Sequence, residues 1–294
     1  MLEIGQAIVA GILLGGVYIL FSLGFTLVFG VGRIINFAHG ELVMLAMYGS
    51  YWAFILGGID PIISLVIITP IMFLLGLVIL QFIIKPVLNA PALNQVFVTI
   101  GLMIVLQSVA LILWSADFRM LVIPYASKII FLGPLRVSFT LLLSFIVALF
   151  VTFLLVCLLK LTLIGKAMRA LCQDRLAASL MGINIHRIYL FTFAIGSVCA
   201  GIAGVLLSTF YTIFPTVGLH FIIIAFVVVA LGGLGNVTGA IVGGLIVGLI
   251  ETLSGYLISP AWAPVIYLMI FVIVLILKPA GLFGIVGAEE VGLK

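Results

Sequence analysis

Charge is what this sequence has least of. Its 294 residues include twelve Lys and Arg and eight Asp and Glu, 7% in all, against 66% hydrophobic residues. A soluble chain of this length needs a charged skin, which so few charges cannot supply. With a mean hydropathy of +1.57, the solvent it faces is lipid. The formal net charge of +4 makes no groove for nucleic acid, because the basic residues are scattered between apolar runs. Cysteine is scarce as well. Cys157, Cys172 and Cys199 lack the spacing of a metal site and are expected to be reduced, structural thiols. No Gly-x-x-x-x-Gly-Lys-Ser/Thr loop, no His-Glu-x-x-His and no nucleophile beside a base occurs. These absences point away from an enzyme, and neither a metal nor another cofactor is expected. Uphill transport by ATP would need an ATPase on another chain.

Long apolar runs are what the chain has in abundance. Nine stretches are candidate membrane spans: Ile4–Phe29, Leu42–Leu56, Ile62–Ile84, Leu93–Trp114, Val137–Leu159, Ile188–Phe210, Leu219–Leu231, Ile241–Leu257 and Val265–Leu277. A span takes about 20 apolar residues, so the second, seventh and ninth are short and would borrow neighbours or be half-spans. Continuous runs exclude a transmembrane barrel, and backbone satisfaction in hydrocarbon then demands helices. The expectation is an all-α polytopic membrane protein with eight or nine transmembrane segments. It would form a single transmembrane domain over 1–294, with a loop at 160–187 and a short tail at 278–294. The opening Met1-Leu2-Glu3 has no basic n-region, so the first run reads as a retained span.

Sidedness comes from the basic residues. Lys160, Lys166, Arg169, Arg175 and Arg187, against Asp174 alone, place the 160–187 loop in the cytoplasm. Alternation through nine spans puts the N-terminus and Asp60 outside, and Lys85 and Lys278 inside. The 115–136 segment falls outside despite a mild basic excess, and with eight spans the C-terminal side would flip. Two interruptions, Gly30–Glu41 and Gly232–Ala240, break the apolar pattern, the second through Gly232, Gly233, Gly235, Asn236 and Gly239. Paired interruptions, one in each half, are the signature of an internally repeated transporter with broken or re-entrant helices at membrane depth. Gly11, Gly15, Gly244 and Gly248 provide small faces for close helix approach.

Asn36, His39, Gly40 and Glu41 are the polar candidates of the first interruption. A charge at mid-bilayer costs roughly 2.5–3.5 kcal/mol on insertion scales, so Glu41 must be paired, interfacial or facing water. Two readings stay open: a polar clamp with Arg33, Asn36 and His39 as its company, or direct lining of a solute path. Glu251 and His220 read as interfacial residues near the ends of their runs. In the basic loop, Asp174 is an N-cap, followed by Arg175, Leu176, Ala177 and Ala178, then Leu180, Met181 and Gly182 as the stop. A helix of about two turns is not stable alone in water. It must pack on the protein's underside, on a partner or on anionic lipid headgroups.

At these residues the chain resembles the LivH-type permease subunit of branched-chain amino acid ABC importers. The likeness rests on Arg33-Ile-Ile-Asn-Phe-Ala-His-Gly-Glu41, Gly165-Lys-Ala-Met-Arg-Ala170, Asp174 through Asn184, Leu231 through Gly244, and Lys278-Pro-Ala-Gly-Leu-Phe-Gly284. These landmarks run from the first span to the tail. The resemblance implies a second homologous permease, two cytoplasmic ATP-binding subunits and an external solute-binding protein as partners, in a bacterial or archaeal cytoplasmic membrane. It also implies that Asp174 through Gly182 is the coupling helix seated on an ATPase. The general ABC-importer signature has Glu-Ala-Ala and a hydrophobic-x-Pro ending. This chain has Leu176-Ala177-Ala178 and Gly182 without either. Urea and short-chain amide importers have similar permeases, and Phe37 leans toward the amino acid branch. An ion-coupled transporter acting alone would instead rely on Glu41 and Glu251.

Overall fold

The computed structural model describes residues 2–284. All nine apolar stretches are helical. They form α1 (Leu2–Gly32), α2 (His39–Gly57), α3 (Pro61–Ile79), α4 (Ala92–Trp114) and α5 (Phe139–Leu161), then, after two short helices, α8 (Ile185–Ser208), α9 (Val217–Gly232), α10 (Val237–Leu257) and α11 (Ala263–Leu277). The short helices α6 (Leu163–Gln173) and α7 (Arg175–Leu180) lie between α5 and α8. Among the described residues, seven helices are long and apolar enough to cross a membrane, counting the turns that extend α3 to Val87 and begin α11 at Pro260. The other two of the nine are α2, whose first turn carries His39 and Glu41, and α9, with 16 residues. A small antiparallel hairpin, β1 (Ile129–Leu132) with β2 (Leu135–Ser138), precedes α5. Nothing in the apolar pattern announced the hairpin or α6.

Local chemistry sets the helix starts. Pro61 opens α3 behind Asp60, whose Oδ1 accepts from the Ile62 amide at 2.8 Å. Asn184 and Asn236 cap α8 and α10 by accepting from Arg187 and Gly239 amides, each at 3.0 Å. Such caps satisfy amides that the helix itself leaves without partners. Helices α1 and α8 form the buried axis of the bundle, with Tyr18, Phe21 and Phe25 among the fully buried side chains. They cross where a Cβ on Gly24 would stand 2.7 Å from the Gly196 carbonyl oxygen, so only glycine permits the approach. Exposed Val66, Phe82, Phe97, Ile112, Phe153 and Ile276 on the outer helices form the lipid-facing belt.

The helices repeat. Helix α1 packs on α10 as α8 packs on α3, α2 packs on α8 as α9 packs on α1, and α2 and α9 pack on each other. Gly30 at the end of α1 lies against Gly235 of the α9–α10 turn and near the Cys172 sulfur of α6. At the opposite end, the Arg136 amide donates to Gln6 Oε1 at 2.8 Å and Tyr125 to Asp60 Oδ1 at 2.9 Å. Helices α1 and α8 therefore run in opposite directions, and α1–α4 and α8–α11 form an inverted pair.

This architecture corrects one expectation. The Gly232–Ala240 interruption is a tight turn at the end that carries α6 and α7, with Gly233 and Gly235 at φ of 102° and 80°, and its counterpart is the Gly57–Asp60 turn between α2 and α3. The break that corresponds to residues 33–38 is residues 209–216, between α8 and α9. Residues 278–284 fold onto the glycine turn, where the Leu282 and Phe283 amides donate to Leu231 and Gly232 carbonyls at 2.8 and 3.1 Å. The rest of the expected tail, 285–294, lies outside the described residues.

Candidate functional site

After α1, residues 33–38 turn back into the bundle, and α2 begins beside the middle of α1. His39 Nε2 donates to the Phe21 carbonyl at 3.0 Å, and its ring meets Phe25 edge-on. Asn36 Oδ1 accepts from the Ala38 amide at 3.1 Å, a local turn that orients the start of α2. Thr99 of α4 donates to the Ile35 carbonyl at 3.0 Å. Glu41 Oε1 accepts from Gln107 Nε2 of α4 at 2.8 Å. Arg33, Asn36 and His39 were expected as its company, and the partner is this amide from another helix. Asn36, His39 and Glu41 are all buried. Glu41 Oε2 and His39 Nδ1 have no partner among the described residues. Gly40 sits so close to α9 that a Cβ there would overlap the Gly218 carbonyl, and a Cβ on Gly218 would stand 2.5 Å from the Glu41 carboxylate. The first turns of α2 and α9 thus meet inside the bundle.

The second break carries a different polar group. Ser208 and Thr209 bond back to Val205 and Leu206 carbonyls, each at 2.7 Å, closing the end of α8. Ile213 then pairs with Arg119 through two backbone hydrogen bonds of 2.9 and 2.8 Å. Tyr211 donates to Glu251 Oε1 at 2.6 Å and Tyr18 donates to Oε2 at 2.7 Å. The Tyr211 ring stands 6.1 Å from His220 and 5.4 Å from Phe221 between centroids. Glu251 and His220, read from the sequence as interfacial residues, belong to this half-buried cluster between α1, α9 and α10. The signal was Tyr18 inside one apolar run and Tyr211 just past the end of another, but the pairing spans 233 residues from Tyr18 and 40 from Tyr211.

Helix α7 stands out on the end that carries the basic residues. Asp174 Oδ1 accepts from the Leu176 and Ala177 amides at 2.7 and 3.0 Å, and Gly182 ends the turn at a φ of 80°. Ala178 is 3% exposed and faces the bundle, whereas Leu176, Leu180 and Met181 are 74%, 82% and 83% exposed. The Arg175 guanidinium lies 5.7 Å from the Tyr189 ring centre, over its face. Preceding α7, the helix α6 begins at Thr162, which accepts from the Gly165 amide at 3.0 Å. The expected loop is therefore a pair of capped helices laid under the bundle.

Comparison with known proteins agrees with this architecture. The profile of the family described as "Branched-chain amino acid transport system / permease component" matches residues 7–275. The chain belongs to this permease family. It is 34% identical to the high-affinity branched-chain amino acid transport system permease protein LivH of Salmonella typhimurium, over 97% of each chain. It is 33% identical to LivH of Escherichia coli and 31% identical to BraD of Pseudomonas aeruginosa, again over 97% of each chain. No solved structure is detectably similar. Within this permease the buried first break and the half-open second break enter the bundle from opposite ends and are distinct environments. The glycines at 232, 233, 235 and 239 serve a turn between helices, where a Cβ on Gly232 or Gly239 would overlap the facing backbone.

Proposed function

We propose that this permease is the membrane-spanning subunit of an ATP-driven importer that moves branched-chain amino acids delivered by an external binding protein. A second homologous permease and two ATP-binding subunits complete the assembly. Helix α7 is the handle that the ATPase grips. The carrying observation is its exposure pattern: a short helix, capped at Asp174 and seated by Ala178, presents Leu176, Leu180 and Met181 outward. Apolar side chains exposed together on so short a helix favour a protein partner. Arg33, Lys85, Lys166, Arg169, Arg187 and Lys278 share that end of the molecule with it, and such a basic bias marks the cytoplasmic side, where ATP is available.

ATP binding would draw the ATPases together and pull α7, and through α6 the end of α1, between two arrangements of the bundle. The coupling requires that the ATPase distinguish those two states energetically. Asn36, His39, Gly40 and Glu41 act as the clamp that holds the broken segment together, since all four are packed and none faces an open path. Leu180→Asp tests the handle. An apolar anchor at such an interface is worth about 2 kcal/mol or more, so ATP hydrolysis stimulated by loaded binding protein should fall about thirtyfold in reconstituted complexes. Leucine binding by the binding protein is the control. Stimulation equal to wild type would remove α7 from the coupling role, and uptake of urea in place of leucine would remove the substrate assignment.

A further inference from the structure

We propose that Glu251, held by Tyr18 and Tyr211 beside His220, is the subsite that takes the ammonium group of the transported amino acid. The inference rests on the import of amino acids proposed above. Glu251 lies on α10, toward the end that carries Gln6 and Asp60, which is the side from which solute would arrive. Each of its oxygens accepts one tyrosine hydroxyl, at 2.6 and 2.7 Å, and each keeps a further lone pair. Among the described residues it makes no ion pair, the one such pair being Arg119 with Asp117. A carboxylate fixed inside a membrane bundle without a counter-charge is costly, and a cationic ligand offsets that cost.

The surroundings suit such a ligand. Tyr211, His220 and Glu251 are half-exposed, unlike the sealed Glu41. Aromatic faces attract cations through their quadrupole, and the rings of Tyr211 and His220 meet here over the buried Phe221. Leu219 and Ile223 are exposed one turn apart on α9, an apolar stripe beside His220 that matches a branched side chain. The two tyrosines orient the carboxylate in advance, so that little ordering remains when the ammonium arrives.

The test uses the intact transporter complex in lipid nanodiscs and a hydrophobic carbodiimide, with modification of Glu251 read by peptide mass spectrometry. Leucine and leucinamide, which keep the ammonium, should slow the labelling. 4-Methylpentanoate, which lacks the ammonium, should not. Equal protection by 4-methylpentanoate, or none by either amine, overturns the inference. Should the reagent fail to reach Glu251, the Glu251→Gln complex decides. A charged hydrogen bond is worth about 1.5–3 kcal/mol, so leucine moved per ATP hydrolysed should fall about tenfold or more, with partial recovery in Glu251→Asp. A ratio equal to wild type overturns the inference. Wild-type vesicles that take up no leucine overturn the parent reading, whatever Glu251 does.

Discussion

Helices α2 and α9 are equivalent in the inverted repeat, and their first turns touch through Gly40 and Gly218, yet their surroundings differ. On the α2 side, α4 supplies Thr99 to the re-entrant backbone and Gln107 to Glu41, and Asn36, His39, Glu41 and Thr99 are all buried. On the α9 side the counterpart of α4 is α11, which brings the buried Tyr267 but no amide. There the carboxylate sits on α10 and remains half-open. A polar group enclosed by partners in a low-dielectric bundle stiffens it, whereas one that keeps free lone pairs and some exposure is available to a ligand. On the reading proposed above, the repeat keeps its backbone in both halves, with holding assigned to one and contact with solute to the other.

The comparison breaks most severely if the two first turns are forced apart. Gly40→Ala places a methyl group onto the Gly218 carbonyl. Backbone cannot rotate away as a side chain does, so the cost should reach or exceed the upper end of about 1–3 kcal/mol for overpacking. Gly101→Ala is the control, because a Cβ there meets nothing within 4 Å and alanine favours a helix by about 1 kcal/mol. Thermal melting of the detergent-purified permease should show a large drop for the first variant and none for the second. Equal melting of Gly40→Ala and wild type would mean that the two half-helices do not meet.

Next in size is Gln107→Leu. It leaves both Glu41 oxygens buried without a donor, and an unsatisfied buried polar group costs about 1–3 kcal/mol. Melting of the permease checks it, and an unchanged midpoint would show that the first break is not sealed. Tyr211→Phe should cost less, about 1 kcal/mol, because Tyr18 keeps its bond to Glu251 and water reaches the half-exposed side. If Tyr211→Phe destabilises more than Gln107→Leu, the assignment of holding and contact to the two halves is reversed.

Much of this was legible in the residues, and the failures have physical causes. All nine apolar runs became helices because hydrocarbon leaves the backbone no other partner. The α7 cap and stop were readable because Asp174 and Gly182 act within a few residues of themselves. The second break was not readable as a break: the apolar run ends at Phe210 and the next begins at Leu219, so Tyr211 through Gly218, with Pro215, reads as an ordinary connection between spans. Glycines drew attention to 232–240, but glycine marks a tight turn as readily as a break at depth. Amphipathic α6 was hidden by its basic residues, which read as loop. The roles of Gln107 for Glu41, and of Tyr18 and Tyr211 for Glu251, depend on helices that only folding brings together.

The smallest effect concerns Cys172, which reports on the sealed half without disturbing it. The residue is exposed on α6, but its sulfur lies toward Gly30, and the partial burial of that sulfur pushes the thiol up to about 11, a rise that Arg33 partly counters. Since the thiolate is the reactive form, a raised value means less of it at neutral pH. At pH 8 the thiolate fraction is roughly a hundredfold below that of an ordinary cysteine, and the maleimide rate should climb about tenfold per pH unit toward pH 10. With Cys157 and Cys199 replaced, this rate should be the same in the resting and ATP-bound complexes, because the end of α1 and α6 move together. A cysteine introduced at Thr212, on the half-exposed second break, should change its rate between those states. If Cys172 accelerates on ATP binding while the Thr212 position does not, the moving half is the one assigned to holding, and the division of labour between the two breaks is wrong.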